Sequence, residues 1–296
     1  MLTDAQPIMK KILVLTDFSD NAAKASEIAV EFGKKLNANI LLFNSYSKLP
    51  TIASYAGGSW AVDEVMHKQG HSKNHLSLVA ENLQNIPVKN GIEPEMPTIT
   101  YLSEEGDLGS NVAEISKLNN IELIMMGARD KTSHENILFG SDTKSVLRKA
   151  KRPVLFIPAK FDLEKLNKVV FATDFEADDM VAIKSLLKLG GLFNFKLEIV
   201  HVSGLKKEAP DEDELAFMNQ FKKIRYENIS YQNIRGADIV NRLNRFIDET
   251  DAGMLAMVHH QESFLMDILR ESITRKALLN QKIPLMIFPS KMMDEL

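Results

Sequence analysis

Gly127-Ala128-Arg129-Asp130, nine residues, then Gly140-Ser141 is the spacing in this 296-residue sequence with the clearest chemical content. A glycine closing an apolar run, a polar loop, and a second glycine at a helix start form a natural anion pocket, because backbone N–H groups and the helix dipole converge there. Ser141 stands where that helix begins, so its hydroxyl either caps the helix or meets a phosphate. Asp130 carries a side chain and a negative charge into the same loop, which repels polyphosphate unless a divalent cation bridges the two. A second polar set, Thr16-Asp17-Phe18-Ser19, follows the first apolar run. Asp17 at a strand's C-terminal end lines the crevice where α/β folds bind ligands, and ligand contact is favoured there over catalysis or loop capping.

Other chemistry-bearing residues resolve into plainer roles. His67, His71 and His75 recur every four residues on one helix face. A neighbouring pair at that spacing chelates zinc, but the outer two stand about 12 Å apart along a helix, too far for one ion. The face is read as solvated or interfacial, with no metal assigned. His259-His260 follows a strand, so at most one of the two faces a pocket. Ser141 lacks a G-x-S-x-G elbow and is no hydrolase nucleophile. Met125, Met126, Met254 and Met257 read as core filling. Lys144, Arg148, Lys149, Lys151 and Arg152 cluster at a helix end, where cations complement the dipole. The absence of Cys excludes disulfides, thiol nucleophiles and Cys-ligated metals.

The elements that hold these residues alternate. Buried strands are expected over 10–16, 40–43, 98–101, 121–126 and 154–157, and helices over 20–36, 60–83, 107–118 and 141–150. Strand, loop, glycine, helix, strand over Ile121–Pro158 is the layout of a βαβ unit. Apolar residues make up 45% and charged residues 26%, ordinary for a globular protein, and the net charge of −4 gives no reason to expect nucleic acid. The start of the chain lacks the layout of a signal peptide, and no apolar run approaches the ~20 residues that span a bilayer; a cytoplasmic protein is expected.

The second half repeats the first. Lys168–Phe175 echoes Lys11–Phe18, 157 residues on, and Lys282–Pro289 echoes Lys151–Pro158, 131 residues on. The difference falls between the second and third strands, where Asp211 to Arg225 replaces a longer helix. Matching ends in the same order point to a duplicated domain, 1–158 and 159–296.

Thr16-Asp17-Phe18-Ser19, Gly127, Gly140-Ser141 and the Pro153–Pro158 ending resemble the universal stress protein family in its tandem two-domain form, over nearly the whole chain. The resemblance implies two doubly wound five-stranded parallel-sheet domains of the adenine-nucleotide-binding type, paired as a pseudo-dimer through their last strands, Val154–Ile157 and Leu285–Ile287. It allows a homodimer and brings neither nucleic acid nor membrane as partner. It also implies a non-catalytic stress-response role, with ATP or another adenine nucleotide, and Mg²⁺ if bound, in the N-terminal domain. Thr16 and Asp17 would face adenine and the backbone of Ser45 close over it; Met126, Gly127, Gly140, Ser141 and Thr143 would line ribose and phosphates. The family's middle glycine is Asp130 here, a departure at the phosphate loop. The rival readings are a slow Mg²⁺-dependent ATPase and a metal or small-ligand binder. In the second half, Gly127 becomes Val258, Asp130 Gln261 and Gly140 Glu271, so that half is expected to be a degenerate partner.

Overall fold

The computed structural model describes residues 9–46, 59–86, 95–128, 141–205, 209–259 and 283–290. The chain forms two compact units that divide at Arg152 and Pro153. The first contains β1 (Lys11–Leu15), α1 (Asp20–Leu36), β2 (Asn39–Tyr46), α2 (Ser59–Gln84), β3 (Ile99–Glu105), α3 (Leu108–Leu118), β4 (Ile121–Gly127) and α4 (Ser141–Lys149). Its strands run parallel in the order β3-β2-β1-β4. Ile12, Leu13, Val14, Leu123, Ile124 and Met125 are wholly buried, as strands of a parallel sheet covered on both faces must be.

Local signals explain the ends of α1. Ser19 caps it, accepting a hydrogen bond from the Ala22 N–H at 3.3 Å, and Asn37 stops it in the left-handed conformation with φ 50°. Between these caps, Ala22, Ala25, Ile28, Ala29 and Phe32 form the buried stripe. α3 is capped by Asp107, whose carboxylate accepts from the Ser110 N–H at 2.9 Å.

The second unit contains β5 (Val154–Ile157), a 3₁₀ turn (Leu163–Lys165), β6 (Lys168–Ala172), α5 (Asp179–Phe193), β7 (Lys196–Ser203), α6 (Glu212–Phe221), β8 (Ile229–Arg235), α7 (Ile239–Thr250), β9 (Met254–His259) and β10 (Leu285–Pro289). Five of its strands run parallel in the order β8-β7-β6-β9-β10. The β8-β7-β6-β9 part has the order and direction of β3-β2-β1-β4, so both halves share one doubly wound topology. β5 runs antiparallel to β10, with Phe156 opposite Leu285 and Val154 opposite Ile287.

The alternating elements and parallel sheets are those expected from the sequence, but two strands are longer. β2 continues through Asn44-Ser45-Tyr46 and β3 through Ser103-Glu104-Glu105, paired residue for residue. These ends resemble loop in sequence because they are polar: Asn44 and Ser45 line the crevice described next, and Ser103 bonds Ser72 of α2.

Candidate functional site

A crevice of about 370 Å³ opens in the first unit, at the C-terminal ends of β1 and β4. Sheet order explains its place: from β1 the chain winds outward to β2 and β3, then returns to add β4 on the other side, so the connections part between β1 and β4.

Six of the eight residues that the resemblance assigns to a ligand line it, Thr16, Asp17, Ser45, Met126, Gly127 and Thr143, and Ser19 lines it with them. Thr16 is buried and organises the turn after β1. Its N–H donates to the Phe43 carbonyl at 2.9 Å, and its Oγ1 accepts from the Phe18 N–H at 3.0 Å. That bond holds Phe18 at φ 64°, a left-handed conformation uncommon for a bulky residue. Asp17 Oδ1 accepts from the N–H of Ser19 at 3.1 Å and from its hydroxyl. Ser45 donates to the Gly106 carbonyl at 2.7 Å, tying the end of β2 to the loop before α3.

Gly127 has a packing reason for being glycine. A Cβ there would sit 2.5 Å from the Asn21 carbonyl carbon and 2.7 Å from the Ala22 nitrogen, inside the first turn of α1. The position lets the N-terminus of α1 lie directly against β4, which narrows the crevice floor. Ser141 opens α4 and is exposed, its hydroxyl 3.4 Å from the Asp142 carboxylate; from that helix, Asp142 and Thr143 line the crevice. Gly140, Arg129 and Asp130 lie outside the described residues.

Four polar lining residues were not singled out in the sequence: Asn21, Asn44, Asp107 and Asp142. Asn44 donates to the Thr16 carbonyl at 2.7 Å and accepts from Ser72 of α2 at 2.7 Å, bracing the β1 turn from the side. Asp107, besides capping α3, accepts from Lys149 Nζ at 2.7 Å and Ser145 Oγ at 2.9 Å. Lys149 and the hydroxyls hold its carboxyl well below the usual carboxylate range. Its signal in sequence was the Gly-Asp pair ahead of a helical stretch; the partners on α4 lie 38 and 42 residues away and leave no local pattern.

With Asp17 and Asp142, Asp107 gives the crevice three carboxylates, and among the described residues only Asp107 is in an ion pair, with Lys149. A bare polyphosphate meets repulsion here, whereas a nucleoside, or a phosphate accompanied by a divalent cation, does not. Among the described residues no group of three His, Cys, Asp or Glu is placed to hold a metal by itself. On α2, His71 and His75 have ring centroids 4.1 Å apart, and His75 meets the Phe18 ring edge-on at 5.1 Å. The side chain of His67 lies outside the described residues.

The second unit keeps the turn and fills its surroundings. Thr173 Oγ1 accepts from the Phe175 N–H at 3.0 Å, and Phe175 again adopts positive φ, 69°. His201 stands where Asn44 does, its Nδ1 3.0 Å from the Thr173 carbonyl. Phe175 stacks on His201 at 4.2 Å and packs against Phe217 at 5.3 Å. Val258 replaces Gly127, and Asp179 replaces the crevice-lining Ala22. His260, Gln261, Glu271 and Ser272 lie outside the described residues.

The sequence profile of the universal stress protein family matches residues 9–158. Two universal stress proteins of Methanocaldococcus jannaschii are similar in sequence. One is 28% identical over 158 residues, covering 53% of this chain and 86% of the relative; the other is 27% identical over 160 residues, covering 51% and 96%. A crystal structure of a universal stress protein from Archaeoglobus fulgidus aligns with a TM-score of 0.69 and 19% identity, over 95% of this chain and 98% of its own. A putative universal stress protein from Pseudomonas aeruginosa aligns with a TM-score of 0.58 and 13% identity, over 95% and 93%. Both likenesses are of fold.

Proposed function

Because the chain belongs to the universal stress protein family, we propose that its first unit is a non-catalytic adenine-nucleotide sensor within a cytoplasmic stress-response protein. The observation that carries this reading is the crevice between β1 and β4, bounded by the helix N-termini of α1 and α4. It lies at the topological switch point, where parallel α/β sheets hold their ligands. Thr16, Asp17 and the β2 end at Ser45 offer hydrogen-bonding groups to a base, while Gly127, Asp142 and Thr143 stand on the sugar and phosphate side. Three carboxylates in the lining favour nucleotide entering with Mg²⁺ over nucleotide alone.

Isothermal calorimetry of the intact chain with ATP, ADP, AMP and adenosine, each with and without Mg²⁺, tests the reading. The expected result is saturable one-to-one binding of an adenine nucleotide, strengthened by Mg²⁺, with no ADP accumulating from ATP. Asp17→Asn is expected to weaken it about tenfold, close to 1.4 kcal/mol. No heat with any adenine compound up to millimolar concentration would sink it. Steady ADP production that Asp17→Asn abolishes would favour a slow ATPase instead.

A further inference from the structure

We propose that Asp174 and Asp179, at the turn between β6 and α5, form a carboxyl pair that shares a proton in the folded chain and gives the second unit a pH-sensitive latch. The basis is an unmet need for donors. Asp179 is the first residue of α5, yet only 1% of it is exposed. Its Oδ2 accepts from the Thr173 hydroxyl, while its Oδ1 is buried without a hydrogen-bond partner. Asp174 Oδ1 is buried and unpartnered too. The Thr173 hydroxyl has a single proton, committed to Asp179, and its oxygen is engaged by the Phe175 N–H. Two ionised carboxylates, each with a buried oxygen that finds no hydrogen-bond partner, are costly; one proton removes a charge and supplies an O–H donor.

The Thr173 hydroxyl and the backbone N–H groups of Asp174 and Phe175 act on the Asp179 carboxyl, but among the described residues no cationic side chain is paired with either aspartate. On the loop stand Asp174 and Glu176, and on the helix Asp178, all acidic. From β7, His201 spends its Nδ1 on the Thr173 carbonyl and lays its ring against Phe175. From β9, where Ala172 pairs with Met257, the next residues are the apolar Val258 and then His259. Lys184 and Lys188 lie further along α5 and are exposed. Of the charged groups, Asp174 acts directly on Asp179, and it is of like sign. Burial first, then the Asp174 charge, pushes the Asp179 carboxyl up to about 7, against hydrogen bonds that lower it.

The direction of the pH effect follows. The folded chain binds this proton more tightly than the unfolded chain, whose carboxyl titrates near 3.8. The group therefore supports the fold most below about pH 4, and that support declines as pH rises to about 7, where it levels off. In the first unit the corresponding residue is Ala22, so the latch belongs to the second unit alone.

Carbon-13 NMR of the intact protein, with aspartate carboxyls labelled and Asp179 assigned through its backbone neighbours, reads the titration directly. A midpoint near 7 is expected, a proton affinity roughly a thousandfold above that of an ordinary aspartate. Asp174→Asn is expected to lower that midpoint. Asp179→Asn, which keeps an acceptor for Thr173 and cannot ionise, is expected to flatten the fall in thermal midpoint between pH 5 and pH 8. An Asp179 carboxyl titrating near 4 in the wild type overturns the proposal. So does stabilisation by Ca²⁺ or Mg²⁺ at pH 8 that Asp179→Asn removes, which would make the pair a cation site.

Discussion

Phe18 and Phe175 occupy the same unusual backbone conformation in the two halves, at φ 64° and 69°. A bulky residue held there costs on the order of 1–2 kcal/mol, so the surroundings must enforce it. The enforcing contact is the threonine two residues before, whose Oγ1 accepts from the phenylalanine N–H in both cases. Thr16→Val keeps the volume and removes that acceptor. It is expected to destabilise the first unit by about 1–2 kcal/mol in urea titrations and to weaken nucleotide binding in the same sample. Gly127→Ala places a methyl group against the backbone of Asn21 and Ala22, which cannot step aside as a flexible side chain would. A loss of roughly 1–3 kcal/mol is expected by thermal unfolding. The sequence marked Gly127 as important but could not give the reason, since Asn21 and Ala22 come near it only in the fold. Asp107 shows the converse. Its carboxyl is held low in the folded chain by Lys149 and hydroxyls, so its contribution is complete above the ordinary carboxylate range and is lost as pH falls below about 4. Asp107→Ala is expected to remove the α3 cap, about 1 kcal/mol, and to leave the unfolding curve less sensitive to acid between pH 5 and pH 2.

Among the elements, α3 and α4 make a demanding contact. A Cβ on Gly109 would lie 2.4 Å from the backbone of Ser145, so the two helices touch backbone to backbone. Ser145 and Lys149 of α4 both reach Asp107 across that contact. Gly109→Ala is expected to push α4 away, breaking the Lys149–Asp107 pair and shifting Asp142 and Thr143 in the crevice wall. Loss of the Lys149–Asp107 pairing in NMR and weaker adenine-nucleotide binding together would register it; unchanged binding and stability would contradict the packing account. The elements themselves were largely legible. Apolar runs gave β1, β4 and β5, and the Ser19 cap with its three-to-four spacing gave α1. Less visible were the ends of β2 and β3, where Asn44 and Ser45 are ladder residues that line the crevice and Ser103 is a ladder residue bonded to Ser72 of α2. Polarity there signals function, and period-based reading counts it as loop.

At the scale of the whole molecule, the repeat was legible because its ends were preserved: Thr-Asp-Phe after the first strand of each half, and Pro-Val-Leu-Phe-Ile-Pro beside Pro-Leu-Met-Ile-Phe-Pro at the last. What the repeat hides is that β5, the last strand of the first half, groups with the second unit; there it lies against β10. Leu155 is 1% exposed and stands opposite the wholly buried Met286. Leu155→Ala is expected to cost about 2–5 kcal/mol. Hydrogen exchange should show the loss at the β10 amides of Met286 and Ile287, far along the chain from the change. Protection lost only around residues 154–157 would argue against the pairing.

The same pairing imposes an order of events on a ribosome. Val154 leaves the exit tunnel about 130 residues before Ile287, the residue that will cover it. At ordinary translation speeds that is a wait on the order of ten seconds. During it, an apolar four-residue strand keeps one row of amides and carbonyls uncovered, the kind of edge on which nascent chains stick to one another. Faster elongation through codons 158–285, or a holding chaperone, is therefore expected to raise the yield of native protein.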